Sequence, residues 1–212
     1  MAKRKNNKEG FTIIEVVLVL AIAGLIFLMV FVALPALQRS QRDTQRRQDV
    51  AALVSAVVRY GTNNTTSGFP KESSYKPLED GTYDETCSKN AACRFIREYM
   101  NSSNVEEGSE AINTFKDPDG IPYSLVITSN FRASTDNTIT YTAIDDARGR
   151  LSQNEEGGYI IEGEGAFNDR IMYLVPGAQC VDEMIVKAEN RKQYAVAYRL
   201  EGAGTYCQSG NL

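Results

Sequence analysis

The chain has 212 residues, 42% of them hydrophobic, and a formal charge of −4, which is length enough for one packed domain beside an N-terminal segment. Lys3, Arg4, Lys5, Lys8 and Glu9 hold +3 of that charge, so the remainder carries −7, an acidic balance with no footprint for nucleic acid. Histidine and tryptophan are absent; no phosphate-cradling glycine loop, nucleophile elbow or cysteine cluster at metal spacing stands in for them, so the chain reads as a non-enzyme without a cofactor.

The first element is Lys8-Glu9-Gly10-Phe11-Thr12-Ile13-Ile14-Glu15 and the apolar run after it. No charged residue occurs from Val16 to Leu37. As a helix rising 1.5 Å per residue, that run crosses a hydrocarbon core of about 30 Å. It is too long for an ordinary secretory segment and is expected to be retained. Lys3, Arg4, Lys5 and Lys8 before it are balanced by Arg39, Arg42, Arg46 and Arg47 after it, so counting Lys and Arg does not orient the span. The cysteine pairs and the N-terminal position of the span favour placing the bulk of the chain outside. Glu15 is the exception inside the apolar part: an acid at the centre of a span costs about 2.5–3.5 kcal/mol, less near the interface. It reads either as an interfacial acid favoured by the helix dipole or as a residue kept for a partner charge.

The basic leader ending in Gly10, followed by Phe11, three mostly apolar residues, Glu15 and a long apolar helix, resembles the class III signal of type IV prepilins and their relatives. The resemblance covers Met1 to about Leu37. It implies that a membrane prepilin peptidase cuts between Gly10 and Phe11, that the new amino terminus at Phe11 is methylated, and that Glu15 pairs with the amino terminus of a neighbouring subunit during filament assembly. The physics agrees: two opposite charges in apolar surroundings are costly apart and tolerable together, so Glu15 can select register. Gly24 and Pro35 in this helix read either as sites of local melting or as a packing glycine and a kink at the membrane exit.

After Pro35 a polar stretch leads to Val50, Leu53, Val54, Val57 and Val58 at helical spacing, with Gly61 as a stop. One helix from Phe11 to Tyr60 would be about 75 Å long. Arg39, Arg42, Arg46 and Arg47 read either as contacts to lipid head groups or acidic neighbouring subunits, or as a solvated helix face. From Thr62 to Glu110 the composition is that of turns, with a short helix expected at Ala91–Asn101. Sequons at Asn63, Asn64 and Asn101 read as polar loop. Asp117-Pro118-Asp119-Gly120 predicts a turn before a strand at Tyr123–Thr128, and Asp117 to Tyr123 resembles the corresponding segment of type II secretion pseudopilins. Asp117 and Asp119 read as turn chemistry ahead of a calcium site, and Asp145, Asp146, Glu155 and Glu156 as solvated charge. Further strands are expected at Thr138–Ile144, Tyr159–Glu162, Ile171–Val175, Gln193–Leu200 and Ala203–Gln208.

Cys87, Cys93, Cys180 and Cys207 form an even count behind an export segment. They read as two disulfides, nearest-neighbour pairing being the simplest of three connectivities, or else as four buried thiols. The second pair resembles the C-terminal disulfide-bounded region of many pilins. Together these elements predict an α+β fold: a leader (1–10), a transmembrane and assembly helix (11–37), its amphipathic half (38–61) and a globular head (62–212) in which an antiparallel sheet lies on the helix. The function this implies is a structural subunit of a type IV pilus-like filament serving adhesion, motility or uptake. Its partners would be copies of itself, prepilin peptidase, the membrane and the assembly machinery. The chain would sit as a single-pass protein in the cytoplasmic membrane and then in an extracellular filament. The alternatives are a type II secretion pseudopilin and a membrane-anchored ectodomain with no filament role.

Overall fold

The computed structural model describes residues 10–65, 68–78, 80–101, 114–128, 150–153, 157–162, 170–201 and 204–212. The leader through Glu9, the strand expected at Thr138–Ile144, and Asp145, Asp146, Glu155 and Glu156 lie outside these residues. The chain divides into two compact units, one ending at Gln41 and one running from Arg42 to Leu212, and helix α1 (Ile13–Asn63) contributes to both.

In the first unit α1 runs through Pro35, and no residue from Phe11 to Ser40 is buried. This is what a helix apolar on every side gives when nothing covers it.

In the second unit one stripe of α1 is buried: Arg46, Val50, Leu53 and Val57, spaced at i, i+4, i+7 and i+11, together with Ala56. Each fully buried Val or Leu contributes about 1.5–3 kcal/mol. Val58 stays 39% exposed at the stripe's edge. Gly61 does not end the helix, which continues to Asn63. A Cβ at Gly61 would lie 2.6 Å from Leu212 Cδ2, so the glycine leaves room for the chain's last side chain. The short helix expected at Ala91–Asn101 is two joined turns: α2 (Ala91–Phe95) continues into a π turn (Ile96–Met100).

The strands are β1 (Ser73–Tyr75), β2 (Ser124–Ile127), β3 (Arg150–Gln153), β4 (Tyr159–Glu162), β5 (Ile171–Pro176), β6 (Ala178–Val181), β7 (Met184–Lys187), β8 (Gln193–Arg199) and β9 (Thr205–Asn211). They form two sheets where the sequence suggested one, ordered β1-β2-β5-β8-β9 and β3-β4-β7-β6. Pairing is antiparallel except between β2 and β5, which run parallel. The fold is α+β, with a long N-terminal helix and sheets rich in antiparallel pairs.

The period-two alternation of strand side chains explains the layering. On β8, Tyr194, Val196 and Tyr198 join the cluster containing Val50, Leu53 and Val57, whereas Ala195 and Ala197 join Leu151, Tyr159, Ile161 and Ile185 of the second sheet. Likewise Leu125 and Ile127 of β2 face the helix side and Val126 the other. The five-stranded sheet is therefore packed on both faces, which is why β2, β5 and most of β8 read as continuous apolar runs. The small Ala195 and Ala197 let the second sheet approach, and Tyr194 reaches back to donate its hydroxyl to the carbonyl of Val54, 2.8 Å away. Gly210 on β9 is required by the same tyrosine: a Cβ there would fall inside its ring.

Cys180 on β6 and Cys207 on β9 stand at disulfide distance with Cα atoms 5.7 Å apart, and so join the two sheets. Closing a loop of this length restricts the unfolded chain by about 3 kcal/mol. A Cys180→Ser/Cys207→Ser double variant is expected to lose about that much in denaturant unfolding, with the same fold by far-UV circular dichroism.

Candidate functional site

Near the start of the described residues Phe11 is 90% exposed, and no atom of the described residues beyond its chain neighbours lies within 4 Å of a Cβ placed on Gly10. Thr12 and Glu15 cap α1 reciprocally. The Glu15 N–H donates to Thr12 Oγ1 at 3.4 Å, and Thr12 donates both its N–H and its hydroxyl to Glu15 Oε2 at 2.9 Å each. This is a capping box, which satisfies donors that a helix start leaves over. The signal was present as Thr-x-x-Glu, and the sequence reading passed over it. Both bonds end on Oε2, so Oε1 has no hydrogen-bond partner among the described residues. Glu15 can hold the cap and still offer an oxygen to a cation.

The apolar side chains from Phe11 to Leu37 form a surface that water tolerates poorly. The helix is long and apolar enough to cross a membrane.

Within the head, the arginines after the apolar run meet the acids of distant segments. Arg46, fully buried, directs Nε and Nη2 at the two oxygens of Asp117, at 2.7 and 3.0 Å. Its Nη1 reaches Asp43 at 2.9 Å and Glu201 at 3.1 Å. Arg42 grips Glu201 with both arms of its fork, at 3.0 and 2.7 Å. Arg170 lies against Asp117 at 3.3 Å and hydrogen-bonds Asp119, while the Tyr198 hydroxyl donates to Asp117 at 3.3 Å. The Arg47 guanidinium sits 5.0 Å from the centroid of the Tyr206 ring. Arg42, Arg46 and Arg47 thus reach groups of the chain's own head; buried Arg46 departs from the solvated-face reading, whereas Arg39 and Arg47 are exposed, as that reading expects. Asp117 and Asp119 build the expected turn, in which the Gly120 N–H donates to the Asp117 carbonyl at 2.7 Å, and their carboxylates also receive guanidinium groups.

One signal could have found the buried arginine. Arg46 precedes Val50 by four residues and Leu53 by seven, so it shares the apolar stripe, and a charge there must be paired.

Burial pushes against charge throughout the cluster, and the paired geometry overcomes it. Desolvation lowers the pKa of Arg46, but its hydrogen bonds to Asp117, Asp43 and Glu201 more than restore it, so the group stays charged. Asp117 is raised by burial and pulled below its ordinary value by Arg46. Glu201 is held down to about 2, chiefly by its hydrogen bond from Arg42. Burial raises Asp49, which accepts the Tyr123 hydroxyl at 2.7 Å. Because the folded pKa of Glu201 lies below its ordinary value of 4.5, its contribution is complete above that pH and drains away as pH falls toward about 2. Asp49 acts in the opposite direction, since its raised pKa favours the fold as pH falls. Acid unfolding followed by tyrosine near-UV circular dichroism should show stability falling across the Glu201 window. Glu201→Gln should flatten that fall and lower stability at neutral pH.

Cys87 and Cys93 stand at disulfide distance with Cα atoms 5.1 Å apart. The side chain of Asn101, the acceptor of one sequon, is engaged at both ends: its amide donates to the Tyr83 hydroxyl at 2.7 Å, and its carbonyl accepts the Thr114 N–H at 3.1 Å. Among the described residues the ion cluster contains no nucleophile beside a base, and its chemistry is orientation: it fixes α1 against the 117–120 turn, Arg170 just before β5 and Glu201, the second residue after β8.

Residues 5–31 match the family model described as the prokaryotic N-terminal methylation motif. No curated protein and no solved structure matches the chain. A motif of this kind goes with a structural, non-enzymatic precursor, anchored in a membrane by its apolar helix before assembly and processed by a prepilin peptidase. The segment from residue 5 to residue 31, with Gly10, Phe11 and Glu15 inside it, is the class III signal of type IV pilin and pseudopilin precursors.

Proposed function

We propose that this chain is a structural subunit of a type IV pilus-like filament. The observation that carries the reading is the methylation motif at residues 5–31, continued by an uncharged helix whose apolar surface is uncovered. Prepilin peptidase removes residues 1–10 by cutting after Gly10, and the new amino group of Phe11 is methylated. Residues 11–37 hold the subunit in the cytoplasmic membrane and later pack among copies of the same helix, where burial of apolar surface drives assembly. Residues 38–61 and 62–212 form the part displayed outside, stapled by Cys87–Cys93 and Cys180–Cys207.

A pseudopilin of a type II secretion system is the second reading, favoured by the Asp117 to Tyr123 segment. An uncut anchored ectodomain is the reading that both oppose. Mass spectrometry of the membrane-extracted protein from cells with an active prepilin peptidase is expected to find a chain beginning at methylated Phe11; an intact leader would sink both filament readings. Surface filaments containing the chain, as against a short periplasmic assembly needed for export, separate the first two.

A further inference from the structure

The head holds a cavity of about 580 Å³ where the last turn of α1 approaches α2, a size typical of small-molecule sites. Its apolar wall is an aromatic cluster: Tyr60 from α1, Phe95 from α2 and Tyr99 from the π turn, with ring centroids 5.3 to 5.7 Å apart. Tyr60 and Tyr99 are half-buried and line the cavity.

Three cations line the same space: Lys71, Lys89 and Arg94. Elsewhere in the head arginines are drawn into ion pairs, yet the side chains of these three have no hydrogen bond or ion pair among the described residues. Among the described residues Glu98 is the single carboxylate in the lining.

The backbone that carries two of these cations, Lys89 and Arg94, is braced. Ser88, Lys89 and Ala91 all belong to the ring closed by Cys87 and Cys93, and Arg94 follows it directly. Asn90, between them, accepts the Cys93 N–H at 3.1 Å and donates to the Ser74 carbonyl at 2.8 Å, tying the ring to β1. The Ala92 N–H adds a bond to Ser73 Oγ at 2.8 Å. A disulfide, a cap and a strand thus hold the cation-bearing segment in place before any ligand arrives, which reduces the ordering cost of binding.

The geometry points to a binding site for a carboxylated saccharide of one or two rings. Arg94 can fork onto the carboxylate, and the lysines add point charges beside it. The tyrosine faces take the C–H face of a sugar ring, their hydroxyls and Glu98 pair with its hydroxyl groups, and the volume suits that size. A nucleic-acid strand fits less well. The chain is acidic overall, at −4, and repels a long polyanion, and Glu98 would face its phosphates. The site does not depend on filament assembly, because every group belongs to one copy.

The test is calorimetric titration of the detergent-solubilised full-length protein with digalacturonate, maltose and a deoxythymidine oligonucleotide in parallel. Saturable binding of digalacturonate is expected, with maltose weaker by at least about tenfold. Arg94→Glu and Lys89→Glu, both at exposed positions, are each expected to weaken digalacturonate by at least about tenfold with unchanged thermal unfolding, whereas Lys192→Glu, outside the cavity lining, leaves binding as it was. The assignment is overturned by the absence of saturable digalacturonate binding, by equal binding of maltose, by tighter binding of the oligonucleotide, or by undiminished binding in both cavity variants.

Discussion

Arg46→Ala is expected to destabilise the head by about 3–5 kcal/mol, because truncating one side of a buried charge cluster leaves the other side uncompensated. Asp117, itself 2% exposed, would keep Arg170 at 3.3 Å but lose the two-armed contact at 2.7 and 3.0 Å, and Asp43 would lose its guanidinium contact at 2.9 Å while keeping the Glu201 N–H at 3.1 Å. In a domain of this size that loss lowers the melting temperature by about 10 °C. Arg46→Lys separates charge from geometry: an ammonium restores the charge but cannot hold Asp117 with a planar fork while reaching Asp43 and Glu201. The lysine variant should therefore recover less than half of the loss in a thermal melt of the solubilised protein. Recovery to wild type would show that charge alone matters there.

At the other end of the molecule, Glu15→Ala is expected to leave cleavage after Gly10 intact while reducing surface filaments severely. The alanine removes two things at once. One is the cap on Thr12, worth about 1 kcal/mol; the other is a negative charge available to a neighbouring amino terminus. Glu15→Gln separates them, because glutamine fills the same capping-box position and keeps the reciprocal bonds without the charge. If the charge acts in assembly, the glutamine variant loses filaments as the alanine variant does. Normal filament yield with Gln and loss with Ala would assign Glu15 to the cap alone. Sheared-filament yield, with mass spectrometry of the membrane fraction to verify the cut, reads both outcomes.

The features legible in the chain were those carried by neighbours in sequence. Basic leader, Gly10, Phe11, Glu15 and an uncharged run occur within one short stretch, and a motif that a peptidase and a bilayer must recognise in an extended or helical segment is bound to be local. The Val50, Leu53 and Val57 stripe, the 117–120 turn and strands β4, β5 and β8 were equally local, each set by periodicity or turn chemistry. Strands β1, β3, β6 and β7, each of three or four residues, went unseen, whereas β2 and β4, equally short, lay in apolar or bulky runs beside turn residues.

Only the tertiary structure decided what lies across the chain. Arg46 meets Asp117 over 71 positions and Glu201 over 155, and no local pattern specifies such a pair. The parallel match of β2 to β5 and the division into two sheets arise because the central sheet must bury both faces, a demand set by neighbours remote in sequence. The cavity beside Tyr60, Phe95 and Tyr99 is of the same kind. By itself the sequence determined that the chain has a membrane-length helix that begins within a methylation motif and carries Glu15 in its first turn. The packed head determined which of its charges are spent on holding α1 and which, at Lys71, Lys89 and Arg94, have no ion pair among the described residues, since pairing is settled by distance in space.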